Sequence, residues 1–413
     1  MRRSLLIIFI LFSGLLLQAQ GGCTDPLANN YSASATVNDG SCTYDATGFM
    51  PQIKYELPAE VLETSGLIFN NGKLYTFNDS GGAAVIYRLD SLNGQIDQRI
   101  TISNAQNIDW EDIAKDANYL YIGDFGNNLG NRTDLMIYRI PLSSIPADGD
   151  ISISADIINF SFSDQTDFSV RNRDHDHDCE AMIVDQQNIH LFSKNWIDGN
   201  SKWYTLPKTP GTHTAQYQQS FASNGLITGA DISADGTKIA LVGYVENVWQ
   251  PFIWLMFDYD GTQYFSGNKR RIDFPLLLGN QMEAIAYEGN SNLFISAEQT
   301  QVANQRLFRL STSSWINSQN TALSEIDVPF TIEISPNPVK RGNVEIRING
   351  LFDDFEINII DSTGKVLRSK YLKSNQTEYC YRIKINKKHL QSGIYFIHLN
   401  TKKHKLVKKL IIL

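Results

Sequence analysis

Three glutamates, Glu111, Glu180 and Glu283, each open a short apolar run, and a second apolar run follows within a few residues. Asp109-Trp110-Glu111-Asp112-Ile113-Ala114 leads to Tyr119 through Asp124. Cys179-Glu180-Ala181-Met182-Ile183 leads to Ile189 through Lys194, and Met282-Glu283-Ala284-Ile285-Ala286 leads to Leu293 through Glu298. Looser copies begin at Glu63, ahead of Leu74 to Asp79, and at Asp231, ahead of Ile239 to Tyr244. Carboxylates brought together repel and raise one another's pKa unless a cation or a basic side chain joins them. Two partners are open: Lys194, or a hard divalent ion, for which calcium suits a flexible ring of oxygen ligands best.

The elements that must position these groups are strands. Starts at 63, 111, 180, 231 and 283 give a period near 50, and such periods made of short strands signal a propeller. In the first unit four strand-like runs, 66–69, 74–77, 85–89 and 98–102, are separated by the turns Asn71-Gly72, Ser80-Gly81-Gly82 and Asn93-Gly94. Helical periodicity is nearly absent. The expectation is an all-β chain: a five-bladed β-propeller, closed by the strand around residues 52–57, followed by a small C-terminal β-sandwich. The interval after Glu111 leaves room for a partial blade at 151–162, which makes six blades the alternative.

In this arrangement the start of an innermost strand and the end of its hairpin partner share a rim, which pairs Glu111 with Asp124, Glu180 with Lys194, Glu283 with Glu298, and Glu63 or Ser65 with Asp79. The expected metal-ligating set is Glu111, Asp124, Glu180, Glu283, Asp79 and Glu298. Lys194, Arg132, Asn128 and Asp178 are the expected ligand-binding groups, Arg132 because a guanidinium grips carboxylate or phosphate. His175 and His177, in the loop Asp174-His175-Asp176-His177-Asp178, are a weaker metal-binding alternative, since adjacent residues of an extended chain point opposite ways.

The 413 residues are 42% apolar, enough for two domains. Residues 1–20 carry Arg2 and Arg3, an apolar stretch and then Gln18-Ala19-Gln20, the pattern of a secretory signal too short to span a bilayer as a helix. In an exported chain Cys23 and Cys42 are expected to form a disulfide; a lipid on Cys23 is disfavoured because Gln20-Gly21-Gly22 lacks a lipobox leucine. Residues 21–50 form a small cysteine-bracketed module that resembles those found near the ends of exported Bacteroidetes proteins. Its Asp25, Asn29, Asn38 and Asp39 suit turns better than calcium. Cys179 and Cys380 are expected to be unpaired. The propeller is assigned to 51–330 and the sandwich to 331–413. Residues 331–413 hold 16 Lys and Arg against 7 Asp and Glu, whereas the overall charge is −8. The acidic body disfavours nucleic acid and anionic membranes.

Glu63-Thr64-Ser65-Gly66-Leu67, Asn78-Asp79-Ser80-Gly81-Gly82, Asp109 to Ala114 and Gly123-Asp124-Phe125-Gly126-Asn127-Asn128 resemble a bacterial family of secreted or periplasmic propellers. More distantly, the glutamate-led inner strands resemble calcium-dependent propeller phytases and quorum-regulated periplasmic propellers. In the phytases such glutamates hold calcium ions that bind phosphate and activate water; Glu111, Glu180 and Glu283 match, but a dense basic pocket is missing. Ile334-Ser335-Pro336-Asn337-Pro338, Leu390-Gln391-Ser392-Gly393-Ile394-Tyr395 and Lys408-Lys409-Leu410-Ile411-Ile412 resemble the C-terminal sorting domain of type IX secretion substrates. That resemblance implies the type IX machinery as a partner, a secreted or outer-membrane-surface location, and a basic surplus used for recognition. Two functions are expected: a binding propeller of unknown ligand with a calcium-holding acidic rim, or a calcium-dependent phosphoesterase-like hydrolase. No nucleophile-elbow serine appears.

Overall fold

The computed structural model describes residues 19–316, 330–340, 342–350, 354–361, 365–373, 378–385, 393–401 and 405–412. The expected signal, but for its last two residues, and Lys402 and Lys403 of the tail lie outside the described residues. The chain divides into two units, Met1–Asn317 and Ser318–Leu413.

The first unit is a β-propeller. Its innermost strands are Thr64–Asn70, Trp110–Lys115, Asp178–Val184, Leu226–Ile232 and Met282–Glu288, and each starts an antiparallel sheet that runs outward through three more strands. Each innermost strand neighbours the next, and Met282–Glu288 returns to neighbour Thr64–Asn70. The outermost strand of the last sheet is Gln52–Glu56, pairing with Arg306–Ser311, so the chain's start closes the ring. Residues 151–162 build no sheet of their own. Ile151–Ile153 adds a parallel edge strand to the first sheet, and Asp156–Phe162 is the fourth strand of the second. That last strand also pairs in parallel with Gly211–Phe221 of the third sheet.

Apolar side chains fill the five gaps between neighbouring sheets. Ile68, Phe77 and Ile86 of the first sheet meet Trp110, Ile113 and Ile122 of the second, all buried. The same filling recurs between the second and third, third and fourth, fourth and fifth, and fifth and first sheets. Strands buried on both faces read as continuous apolar runs instead of alternating ones, which is why Ile113, Met182 and Ile285 are all buried.

At the same place in every innermost strand the ladder holds one extra residue. Ser65 faces Phe77 and Leu67 faces Thr76, leaving Gly66 over; by the same test the extra residues are Glu111, Glu180, Thr228 and Glu283. A bulge of this kind bends the strand and re-aims the side chain of the added residue. It also corrects the repeat alignment: Gly66 and Thr228, not Glu63 and Asp231, are equivalent to the three glutamates. Gly66 has φ of 43°, and a Cβ there would lie 2.6 Å from the Phe77 ring.

The Cys23–Cys42 disulfide is formed. Its module rests on the fourth sheet, with Arg270 over the Tyr44 ring and Gly48 bridged to Asp273. Asp25, Asn38 and Asp39 accept from the backbone amides of Leu27, Gly40 and Ser41, and Asn29 donates to Asp45, which is turn chemistry. Cys179 is unpaired and buried.

The second unit has two sheets. One orders Phe330–Ser335, Gly342–Gly350 and Glu378–Ile385; the other orders Val366–Leu372, Phe355–Asp361, Gly393–Thr401 and Lys405–Ile412. Val344, Ile346 and Ile348 from the first pack against Ile357, Ile359, Ile397 and Leu399 from the second, the core of a small sandwich.

Candidate functional site: an acidic propeller mouth

The bulges put Glu111, Glu180 and Glu283 at one end of the ring, with the loops that follow the second strands. Carboxylate oxygens of Asp79, Asp109 and Glu111 lie within 4.8 Å of one another. Asn107, itself buried, joins the two loops that supply Asp79 and Asp109: its amide donates to the carbonyls of Asn78 and Asp79 at 2.9 and 2.8 Å, and its oxygen accepts from the Trp110 amide at 3.1 Å. Gly126 lies directly against this trio, where a Cβ would collide with the carboxylates of Glu111 and Asp109.

On the neighbouring third sheet Lys194 donates to both oxygens of Glu180 at 2.6 Å, as the hairpin pairing predicts. Its ammonium also lies 5.0 Å from the Trp196 ring and 5.5 Å from the Tyr244 ring. One oxygen of Glu283 is buried with no hydrogen-bond partner. Among the described side chains here, Asp79, Asp109, Glu111, Glu180, Glu283 and Glu298 thus share one ammonium. Burial pushes Asp109 up to about 7, with Asp79 and Asp178 adding to it. Burial also lifts Glu283 to about 7, against the pull of Lys194. Glu298 reaches about 9 through burial and then the charge of Glu283, while Glu111, Glu180 and Asp79 are raised chiefly by burial.

Other expected groups stand apart from the trio. Asp124 bonds Arg132 at 2.9 Å and accepts from the Asp109 amide at 3.2 Å, so it braces the loop of Asp109, and Arg132 is committed to it and to Asp134. Asp178 accepts from the Asn127 amide at 2.6 Å and from the Trp196 indole at 2.8 Å. The Asn128 side-chain oxygen is buried without a partner, and the carbonyl of the same residue accepts from the Arg173 amide. His177 contacts Asp164 and Asp176, and His175 reaches the Asn128 carbonyl at 3.3 Å. Neither imidazole belongs to the acidic trio.

Sequence reasoning passed over two residues. Asp109 precedes Glu111 by two, the spacing that puts side chains on one face of a strand, and that signal was present. Asp112, fully buried, accepts from the amides of Ile113 at 2.8 Å, Met182 at 2.7 Å and Ala230 at 3.3 Å. It therefore ties the innermost strands of three successive sheets together beneath the mouth. Nothing in its neighbourhood marks it out in the sequence.

Residues 333–413 match the family model for the secretion system C-terminal sorting domain. No curated protein matches the chain. Among solved structures it is similar to PorZ, described as an essential bacterial surface component of the type-IX secretion system of Porphyromonas gingivalis, at 12% identity and a TM-score of 0.31, over 88% of this chain and 61% of that one. It is similar to an exo-beta-1,3-galactanase from Phanerochaete chrysosporium at 10% identity and a TM-score of 0.41, over 87% and 99% of the two chains. A putative TolB from Agrobacterium tumefaciens aligns at 16% identity and a TM-score of 0.27, over 67% and 90%. The chain thus spans about three fifths of PorZ's length. The sorting domain makes this an exported protein, carried to the cell surface or secreted. Among the described residues no helix is long and apolar enough to cross a membrane.

Proposed function

We propose that this exported chain belongs with the bacterial secreted propellers it resembles and is a binding protein whose acidic mouth holds a divalent cation, calcium, as part of its ligand site. The observation that carries the reading is the approach of the Asp79, Asp109 and Glu111 carboxylates to within 4.8 Å, with the only nearby ammonium among the described residues committed to Glu180. The donors are all carboxylate oxygens, which suits a hard ion, and the unpartnered Glu283 oxygen offers a further ligand atom. A bound cation would let these groups ionise at neutral pH and would leave an electropositive point for an anionic or hydroxylated ligand.

Binding is favoured over hydrolysis. The histidines of the first unit are engaged elsewhere: His175 and His177 in their own loop, His190 with Asp185, His213 with the Thr209 carbonyl. Calcium titration of the purified protein by calorimetry tests the reading, together with a phosphomonoester screen. Stoichiometric binding that weakens about tenfold or more in Glu111→Gln, one charged ligand fewer, is expected. Absence of calcium binding sinks the cation site, and calcium-dependent turnover of an ester replaces the binding reading with the phosphoesterase one.

A further inference from the structure

Exposed apolar side chains gather on four loops of the mouth rim. These are 57–63, from the fifth sheet to the first; 246–249, within the fourth; 274–281, from the fourth to the fifth; and 298–305, within the fifth. Leu62, Val248, Trp249, Leu276, Leu278 and Val302 stand out from them, Leu276 and Val302 being 77% and 73% exposed. Single exposed leucines are ordinary, whereas apolar side chains collected on one face mark a contact surface. Hydrogen bonds between the loops enforce the collection. The Gly279 amide donates to the Trp249 carbonyl at 3.0 Å, the Thr300 hydroxyl to the Gly279 carbonyl at 3.0 Å, and the Gln299 amide to the Leu62 carbonyl at 2.8 Å. A Cβ on Gly279 would come within 2.8 Å of Val302, so two of the loops touch there. Trp249 lies flat on Tyr244, with ring centroids 5.0 Å apart, and Lys194 stands 5.5 Å from the same Tyr244 ring. The apolar ridge is thereby joined to the acidic mouth.

The charge of the ridge is one-sided. Its four loops hold Glu60, Glu63, Glu246 and Glu298 and no Lys or Arg, whereas Arg132, Arg171 and Arg173 lie elsewhere on the rim. Arg99 holds Glu60 at 2.9 Å; among the described residues Glu63, Glu246 and Glu298 are in no ion pair. Burial, then the charges of Glu283 and Asp79, push the Glu298 carboxyl up to about 9, and Lys194, already bonded to Glu180, offsets little of this. Glu283, itself buried, keeps one oxygen without a hydrogen-bond partner. A cationic group brought from outside to Glu298 and Glu63 would favour their ionised forms. An anionic lipid surface would meet the same glutamates as like charges. The ridge also extends over four loops, a span suited to a stretch of polypeptide and not to a single small cation.

We propose that this ridge docks a second protein, through a segment that carries a Lys or Arg among apolar side chains. The basic group enters beside Glu298 and Glu63, and the apolar ones cover Trp249, Leu276, Leu278 and Val302. The surface adjoins the trio of Asp79, Asp109 and Glu111 without including it, and docking requires no cation there.

The test is selection from a random peptide library displayed on phage against the immobilised full chain in EDTA, followed by calorimetry with a selected peptide. Enriched sequences should carry Lys or Arg beside Leu, Ile, Val or Phe. Leu276→Ser combined with Val302→Ser should weaken the peptide about tenfold or more, and so should Glu298→Gln. Leu92→Ser, at an 81% exposed leucine in the turn between Val85–Asp90 and Ile96–Ile102 at the opposite end of the ring, should bind as the parent does. Full affinity in either ridge variant, enrichment of acidic peptides, or no enrichment over the blank support would each overturn the proposal. So would binding of phosphatidylcholine and phosphatidylglycerol vesicles that Leu276→Ser with Val302→Ser abolishes. Peptide binding that appears only when calcium replaces EDTA would move the contact to the cation trio and overturn it too. Ridge-dependent peptide binding in EDTA by a chain that takes up no calcium would support the docking surface and sink the cation site alone.

Discussion

Lys194 sits within 2.6 Å of both oxygens of Glu180, and the two side chains are 7% and 3% exposed. Removing one partner of a buried pair strands the other charge, at a cost of about 3 to 5 kcal/mol. Lys194→Met should therefore destabilise the propeller by about that amount in urea titrations at pH 8 in EDTA, and Lys194→Met with Glu180→Gln should recover most of it. A single variant as stable as the parent would mean that Glu180 is already protonated.

Stability should fall with pH in the absence of a cation. Asp109 and Glu283 are raised to about 7 and Glu298 to about 9, whereas unfolded carboxyls titrate near 4. The folded state then binds more protons than the unfolded one, so stability present at about pH 4 is lost as pH rises through 7 towards 9. The melting temperature in EDTA should decline across that window, and calcium should restore it by an increment that grows with pH. A calcium increment that is flat from pH 5 to 9 would separate these carboxyls from the ion.

Much of this was legible because propeller strands repeat their chemistry. The three glutamates occupy equivalent bulges, and the hairpin argument put Lys194 on Glu180. The misreadings have one cause. A bulge is defined by pairing and not by residue type, so Gly66 and Thr228 hold the glutamate position in the first and fourth sheets, while Glu63 and Asp231 carry the expected charge elsewhere. Asp231 instead ties Ile232 and Tyr287 on the far side. One oxygen of Asp124 meets Arg132, a partner eight residues on that periodicity does not reveal, and the other is buried without a hydrogen-bond partner.

Asp112 tests how the ring is held. Its carboxyl is raised well above the usual range by burial, against three amides that pull it down. Asp112→Ala would leave the Met182 and Ala230 amides short of this acceptor, and each buried group left unsatisfied costs about 1 to 3 kcal/mol. A loss of about 2 to 4 kcal/mol in urea titrations is expected, with Asp112→Asn falling between variant and parent because it keeps one oxygen. A change below about 0.5 kcal/mol, the range of ordinary surface substitutions, would show that the cross-sheet bonds add nothing.

The sorting domain should be separable from the propeller. Among the described residues its sandwich core draws on Ile334 to Ile412, and no core between propeller sheets reaches past Ile316. A domain with its own core can fold alone. Deleting residues 333–413 should therefore leave a propeller that melts as cooperatively as in the full chain, yet that stays in the periplasm when expressed in a host with a type IX system. Cell fractionation reads the location and calorimetry the fold. Normal export of the truncated chain would refute the sorting role of this sandwich, and a truncated chain that no longer melts cooperatively would refute its independence.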